Sequence, residues 1–155
     1  MTERSTVAGA RRAAILIDDR DRILLIKRSR PGQAPYWTTP GGGVEDGDAS
    51  TEAALHRELA EELGATAAGA SQVFLFSSAS GDGVAVQHFF VARMASLDKS
   101  TRHGPEFSDQ SRGGYDLDLV GLRGDDLAAI DLKPTALKEF ILANREAMLG
   151  EAGID

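Results

Sequence analysis

The chain has 155 residues and no cysteine, which excludes disulfide bonds, thiolate chemistry and cysteine-based metal sites. Its composition, 42% hydrophobic and 26% charged, is typical of a soluble globular protein, and residues 1–155 are expected to form a single domain. The net charge of -7 provides no electrostatic attraction for polymeric nucleic acid or for an anionic membrane surface.

The first dozen residues, MTERSTVAGARR, give no indication of a targeting segment because they lack an apolar stretch. No later run approaches the roughly 18 apolar residues of a membrane span. Together with the lack of cysteine, these features predict a cytoplasmic protein. Residues 1–10 are expected to be flexible.

Two short apolar runs, residues 12–17 and 23–27, predict a β-hairpin because the sequence DDRDR between them favours a turn. Both runs are almost continuously apolar, so both faces of the sheet are expected to be covered by helices. Lys27, Arg28 and Arg30 follow. They form either a charged strand end or a site that binds phosphate, and Arg28 is the candidate for substrate binding. Tyr36 and Trp37 then predict a short strand, with Trp37 in the core or a pocket wall.

Residues 40–65, PGGGVEDGDASTEAALHRELAEELGA, combine a glycine run, an acidic turn and a short helix. Ser50 or Asp48 can cap the helix, and Gly64 supplies its C-terminal stop. Its apolar stripe is formed by Leu55, Leu59 and Leu63. The glycines allow the main chain to pass close to a ligand.

An acidic edge lies beside this stripe, formed by Glu58, Glu61 and Glu62. Like-charge pairs at these spacings each destabilise a helix by roughly 0.2–0.5 kcal/mol. Arg57 can reach Glu61, which leaves the other two glutamates without a cation on the helix. The edge is either a solvated acidic surface or a site for a hard divalent cation such as Mg²⁺, which prefers oxygen ligands.

Residues 40–65 resemble the signature of the Nudix hydrolases, in which a glycine, a glutamate and the cluster Arg-Glu-hydrophobic-any-Glu-Glu-any-Gly-hydrophobic follow at fixed spacing. Residues 57–65, RELAEELGA, match the second half without a gap. The first half departs from the pattern. With Gly42 as the signature glycine, Asp48 replaces the glutamate with one extra residue before the helix; with Gly43, the spacing is right but the position holds Ala49. We prefer the alignment on Gly42.

The resemblance implies an α/β fold of the Nudix type, an α/β/α sandwich with a mixed β-sheet flanked by helices. It implies Mg²⁺-dependent hydrolysis of a phosphoanhydride bond in a nucleoside diphosphate linked to another moiety, with Mn²⁺ as a substitute ion. The partner would be a small, nucleotide-derived diphosphate. The sequence does not determine the oligomeric state, and a homodimer is one alternative.

The same resemblance implies roles for individual residues. Glu58, Glu61, Glu62 and the carbonyl of Gly41 would hold the metal. Arg57 would hold the glutamates in place, and Glu58 would be a ligand or the general base. The alternative is a non-catalytic Nudix-like module that binds a nucleotide or nucleotide sugar, which the change at Asp48 favours and the intact glutamates oppose. An isopentenyl diphosphate isomerase is disfavoured because that enzyme needs a cysteine.

Residues 73–76 and 84–93 predict a second pair of strands, with turn chemistry in SSASGDG between them. His88 on the second strand is expected to pack or hydrogen-bond rather than bind metal. Residues 94–114 form a long polar segment. There Glu106 is the candidate for an additional acidic residue of the kind that many Nudix hydrolases use, and Arg112 the candidate for phosphate binding; ordinary loop residues are the alternative.

Residues 115–122 alternate between polar and apolar and predict a strand with one solvated face. A connecting segment follows. Pro134 suits the first turn of a final helix, which is expected to extend to about residue 149.

Overall fold

The computed structural model describes residues 7–43, 51–81, 83–97 and 114–153. Within these ranges, seven strands form one mixed sheet: β1 (Val7–Ile17), β2 (Arg22–Ser29), β3 (Tyr36–Thr38), β4 (Gly41–Gly43), β5 (Ala65–Ser80), β6 (Gly83–Leu97) and β7 (Gly114–Gly121). The strand order is β3-β2-β1-β6-β5, with β4 paired to β1 and β7 paired to β2. β1 and β6 are parallel, and the other pairs are antiparallel.

In the same described ranges, three helices cover the sheet: α1 (Thr51–Leu63), α2 (Thr135–Ala143) and α3 (Arg145–Glu151). The first core cluster joins the sheet to α2 and α3, and its buried residues include Ile15, Leu25, Phe89, Leu137, Ile141 and Met148. The second core cluster joins the opposite face of the sheet to α1, and its buried residues include Leu16, Leu24, Phe90, Leu55, Leu59 and Leu63. The predicted α/β/α sandwich is therefore confirmed.

The apolar runs of β1 and β2 supply both clusters because successive side chains of a strand point to opposite faces. Ile15 and Ile17 belong to the first cluster, whereas Leu16 belongs to the second. The prediction that both faces of this sheet are covered is confirmed. None of the helices in the described part of the chain has the length and apolar character needed to cross a membrane.

β1 and β2 form the predicted hairpin but separate beyond its turn. The two strands pair at Ile17 and Ile23. Further along, β1 pairs with the glycines of β4, and the amide of Ala14 donates to the carbonyl of Pro40 at 2.8 Å. β2 pairs instead with β3 and β7. A gap therefore opens between the strands at the end of β1 that carries Arg11.

Several strand boundaries differ from the prediction because pairing extends the strands beyond their apolar cores. Residues 94–97, which were predicted to belong to the long polar segment, form the end of β6. β1 begins at Val7, where it pairs with Val84, so residues 7–10, which were expected to be flexible, form part of a strand. Residues 1–6 lie outside the described residues. β5 begins directly after α1 rather than at residue 73. Its early part is rich in alanine, glycine and serine, but it pairs with β6 through several irregular steps.

The single final helix predicted up to residue 149 is wrong, because the chain breaks at Asn144 into α2 and α3. The side-chain amide of Asn144 donates to the carbonyl of Phe140 at 2.8 Å, which is the acceptor that its backbone N–H would use in a continuing helix. Pro134 lies one residue before α2, in an extended conformation, rather than within its first turn.

Gly64 ends α1 as predicted. Its φ is +65° and its N–H donates to the carbonyl of Ala60 at 3.1 Å. Because side chains other than glycine are strained at this φ, we expect Gly64→Ala to lower the free energy of unfolding by about 1–2 kcal/mol, measured by urea denaturation. Gly150→Ala is the control, since that glycine lies in α3 with open space around it and its substitution should not destabilise the protein. Equal losses in both variants would contradict the expectation.

Candidate active site

The acidic edge of α1 lies beside the buried leucine stripe. Leu55, Leu59 and Leu63 are at most 1% exposed and fix the orientation of the helix on the sheet. The side chain of Glu58 is 12% exposed, whereas that of Glu61 is 53% exposed. The neighbouring carboxylates are thus in different environments, one held against the protein and one facing solvent.

Arg57 connects these two carboxylates. Its Nη1 donates to Oε1 of Glu58 at 3.0 Å and to Oε2 of Glu61 at 3.1 Å. The expectation that Arg57 reaches only Glu61 and leaves Glu58 without a cation is therefore wrong. The guanidinium is long enough to reach the adjacent side chain as well as the one a turn away. Its charge offsets part of the repulsion between the two glutamates.

The glycines of β4 form the surface against which Glu58 lies. A Cβ atom built on Gly42 would overlap the carboxylate carbon of Glu58 and would lie 2.5 Å and 2.8 Å from its two oxygens. A Cβ on Gly41 would overlap the carbonyl oxygen of Arg12 in β1. Glycine is required at these positions because Glu58 and β1 approach the backbone of β4 so closely. The sequence alone did not indicate this role, and the glycines were instead interpreted as allowing a ligand to approach.

The donor groups at this position fit a hard divalent cation. The carboxylates of Glu58 and Glu61 and the carbonyls of β4 are all oxygen donors, and the carbonyl of Gly41 accepts one long hydrogen bond, 3.5 Å from Nη2 of Arg11. Within the described part of the chain, no three acidic or histidine side chains converge on one point. Glu62 lies in the last turn of α1, but its side chain is outside the described residues, so its metal-binding role stays a prediction.

His88 lies in cross-strand alignment with Arg12, which is itself aligned with Gly42. Burial lowers the pKa of His88, and the positive charge of Arg12 lowers this pKa further. Both effects favour the neutral form of the imidazole. Its Nδ1 lies 3.3 Å from Oε1 of Gln72, which agrees with the expected hydrogen-bonding role.

A cavity of about 400 Å³ opens where β1 and β2 separate. Arg28 contributes to its wall, as do residues from distant parts of the chain that the sequence analysis did not select, including Arg11, Tyr36, Gln87 and Lys133. No local pattern connects these positions. The other two candidates for the substrate site, Glu106 and Arg112, lie outside the described residues, as does Asp48.

Trp37 contributes to the core, as predicted. It packs against the first core cluster, and its indole Nε1 donates to Oδ2 of Asp118 at 2.8 Å. The ammonium of Lys27 lies 5.5 Å from the ring centroid. The ring is thus engaged within the protein on several sides.

Comparison with known proteins gives a match between the NUDIX domain and residues 8–112. A Bacillus subtilis protein named as a candidate 8-oxo-dGTP diphosphatase is 37% identical over 62 residues. That match covers 40% of this chain and 39% of the relative, so it spans about two fifths of the length of each.

Solved structures resemble the chain over most of its length. A MutT chain from work on Aliivibrio salmonicida and Vibrio cholerae has 26% identity and a TM-score of 0.59, covering 88% of this chain and 98% of its own. The MutT NUDIX hydrolase of Burkholderia pseudomallei has 25% identity and a TM-score of 0.61, covering 87% and 95%. The NUDIX domain of Shewanella oneidensis NrtR, solved with ADP ribose, has 20% identity and a TM-score of 0.62, covering 92% and 90%. This last likeness concerns the fold alone.

Proposed function

The chain belongs to the Nudix family, and from this premise we propose that it is a Mg²⁺-dependent pyrophosphohydrolase that cleaves a phosphoanhydride bond in a nucleoside diphosphate linked to another moiety. The observation that carries the proposal is the placement of Glu58. Its carboxylate lies against Gly42 and is bridged to Glu61 by Arg57. A solvated acidic surface would not require a glycine beneath one of its carboxylates.

The proposed metal ligands are Glu58, Glu61, Glu62 and the carbonyl of Gly41. When bound, Mg²⁺, or Mn²⁺ in its place, would offset the charge of the phosphate oxygens and lower the pKa of a coordinated water. Arg57 keeps the carboxylates of Glu58 and Glu61 in fixed positions. Glu58 serves as a ligand or as the general base that accepts a proton from the attacking water.

Arg28 is the proposed phosphate-binding residue, because a guanidinium can hold two phosphate oxygens at once. It lies in the cavity wall together with Arg11, whose Nη2 contacts the carbonyl of Gly41. A substrate that extends from the acidic edge of α1 into the cavity would therefore meet both guanidinium groups. Water attacks one phosphorus, and the other phosphate leaves.

We expect at least one phosphoanhydride to be hydrolysed in Mg²⁺, with activity lost on addition of EDTA and restored by excess Mg²⁺ or Mn²⁺. The measurement is release of phosphorylated products from a panel that includes 8-oxo-dGTP and ADP-ribose, the compounds named for two similar proteins. Calorimetric titration with Mg²⁺ measures metal binding directly. Metal-independent turnover, or no uptake of metal by folded protein, would contradict the proposal.

A non-catalytic binding module is the second candidate. The structure with ADP ribose shows that this fold can hold a nucleotide ligand, and Asp48 departs from the family signature. The same panel separates the two functions. Calorimetric binding of a nucleotide without product release over hours in Mg²⁺ would favour the module over the enzyme.

A further inference from the structure

The cavity between β1 and β2 borders the candidate active site. Arg11 lines this cavity, and its Nη2 lies 3.5 Å from the carbonyl oxygen of Gly41. The volume of about 400 Å³ is within the usual range for sites that bind small molecules. A diphosphate held at Glu58 would therefore direct its attached moiety toward this space.

The wall of the cavity is positively charged although the chain has a net charge of -7. Arg11, Arg28 and Lys133 line it, and none of its described lining residues is acidic. Nζ of Lys133 lies 3.7 Å from Oδ2 of Asp131, but both side chains are more than half exposed. A pair this exposed contributes little, so the ammonium of Lys133 can still attract an anion.

Uncharged hydrogen-bonding groups complete the wall. Gln87 contributes an amide, and Thr38 contributes a buried hydroxyl for which the described residues offer no hydrogen-bond partner. Tyr36 supplies the aromatic ring of this wall, and the ammonium of Lys133 lies 5.9 Å from the ring centroid. The wall thus offers donors suited to phosphate oxygens, whereas its aromatic surface is already engaged by a cation.

The proposed metal would bind the diphosphate at the acidic edge, beside Arg11 and Arg28, and Lys133 lies in the same wall as a further cation that can bind a different anion. We propose that the cavity binds a second phosphate group, carried by the moiety attached to the diphosphate. This inference rests on the proposed function and narrows its substrate class. The preferred substrates are diphosphates whose attached group bears a phosphate monoester.

The test compares pairs of compounds that differ only by such a phosphate: NADH and NADPH, dephospho-coenzyme A and coenzyme A, and ADP-ribose and its 2′-phosphate. In Mg²⁺, we expect kcat/KM for the phosphorylated member of at least one pair to be higher by about tenfold or more, the effect of one charge-assisted hydrogen bond. Equal rates in every pair, or preference for the unphosphorylated members, would overturn the inference.

Lys133→Gln identifies the source of the preference. It should lower kcat/KM for the phosphorylated member by about tenfold and change the other member less than about twofold. Arg93→Gln is the matched control, because Arg93 is an exposed cation on β6 outside the cavity wall and its loss should alter neither member. A preference that persists in Lys133→Gln would contradict the assignment of Lys133.

The cavity assignment can be tested even if the protein hydrolyses none of these compounds. If no compound is hydrolysed, calorimetry with the same pairs measures binding alone, in the wild type and in Lys133→Gln. Tighter binding of the phosphorylated member, reduced in Lys133→Gln, would support the cavity assignment without catalysis. Equal affinities would overturn it.

Discussion

Replacing Glu58 with glutamine should lower turnover by at least about a hundredfold, a loss of about 2.7 kcal/mol in transition-state stabilisation, while the protein remains folded. Glutamine has nearly the same shape, and its amide oxygen can still accept the hydrogen bond that Arg57 donates to Glu58 at 3.0 Å. The substitution removes the negative charge, so the side chain can no longer bind a cation strongly or accept a proton from water. The measurement is kcat at saturating Mg²⁺, with thermal unfolding as the check on folding.

Glu139→Gln is the matched control, because Glu139 is an exposed glutamate on α2 and its substitution should leave kcat unchanged. We expect Glu61→Gln and Glu62→Gln to lower turnover in the same direction as Glu58→Gln. Normal kinetics of Glu58→Gln in Mg²⁺ would exclude Glu58 as an essential ligand or base. Normal Mg²⁺ uptake with lost turnover would leave the general-base role as its function.

Gly42→Ala should reduce turnover by about a hundredfold without any change in the acidic residues, since displacement of a reacting group by about 1 Å can have an effect of this size. The added methyl group would overlap the carboxylate of Glu58, which must then move away from β4. Gly150→Ala, where the added carbon meets open space, is the control. The measurements are kcat, KM and the affinity for Mg²⁺.

A double-mutant cycle keeps this prediction testable if Gly42→Ala destabilises the protein. The overlap disappears when Glu58 is also replaced with alanine, so the destabilisation caused by Gly42→Ala should be smaller in that background. Equal destabilisation in both backgrounds would show that the glycine is needed for the β1–β4 pairing and not for Glu58. Full activity of Gly42→Ala would show that the position of Glu58 is not critical.

The elements that the sequence predicted correctly are those defined by local apolar patterns. The continuous runs in β1 and β2 indicated a sheet covered on both faces, and the leucine stripe of α1 with Gly64 defined the motif helix. The early part of β5 was missed because its small residues have little strand preference and are held by pairing with β6. The break at Asn144 was missed because it depends on one side-chain hydrogen bond.

The sequence also predicted only part of the candidate site. The motif placed Glu58 and Glu61 on one edge of α1, but periodicity could not reveal that Arg57 binds both, because adjacent helix residues point about 100° apart and their contact depends on side-chain length. The cavity was not predictable. Arg11 and Lys133 are more than a hundred residues apart in the chain, and they come together because the strands of the hairpin separate.

Where β1 separates from β2, one strand connects the acidic edge of α1 to the cavity. Arg12 pairs with Gly42, which supports Glu58, and the preceding residue, Arg11, lines the cavity. Two adjacent residues of β1 therefore lie beside the two parts of the proposed site, the acidic edge of α1 and the cavity. Pairing with β4 on one edge and with β6 on the other holds this part of β1, so the backbone of a single strand fixes how far the carboxylate of Glu58 lies from the cavity.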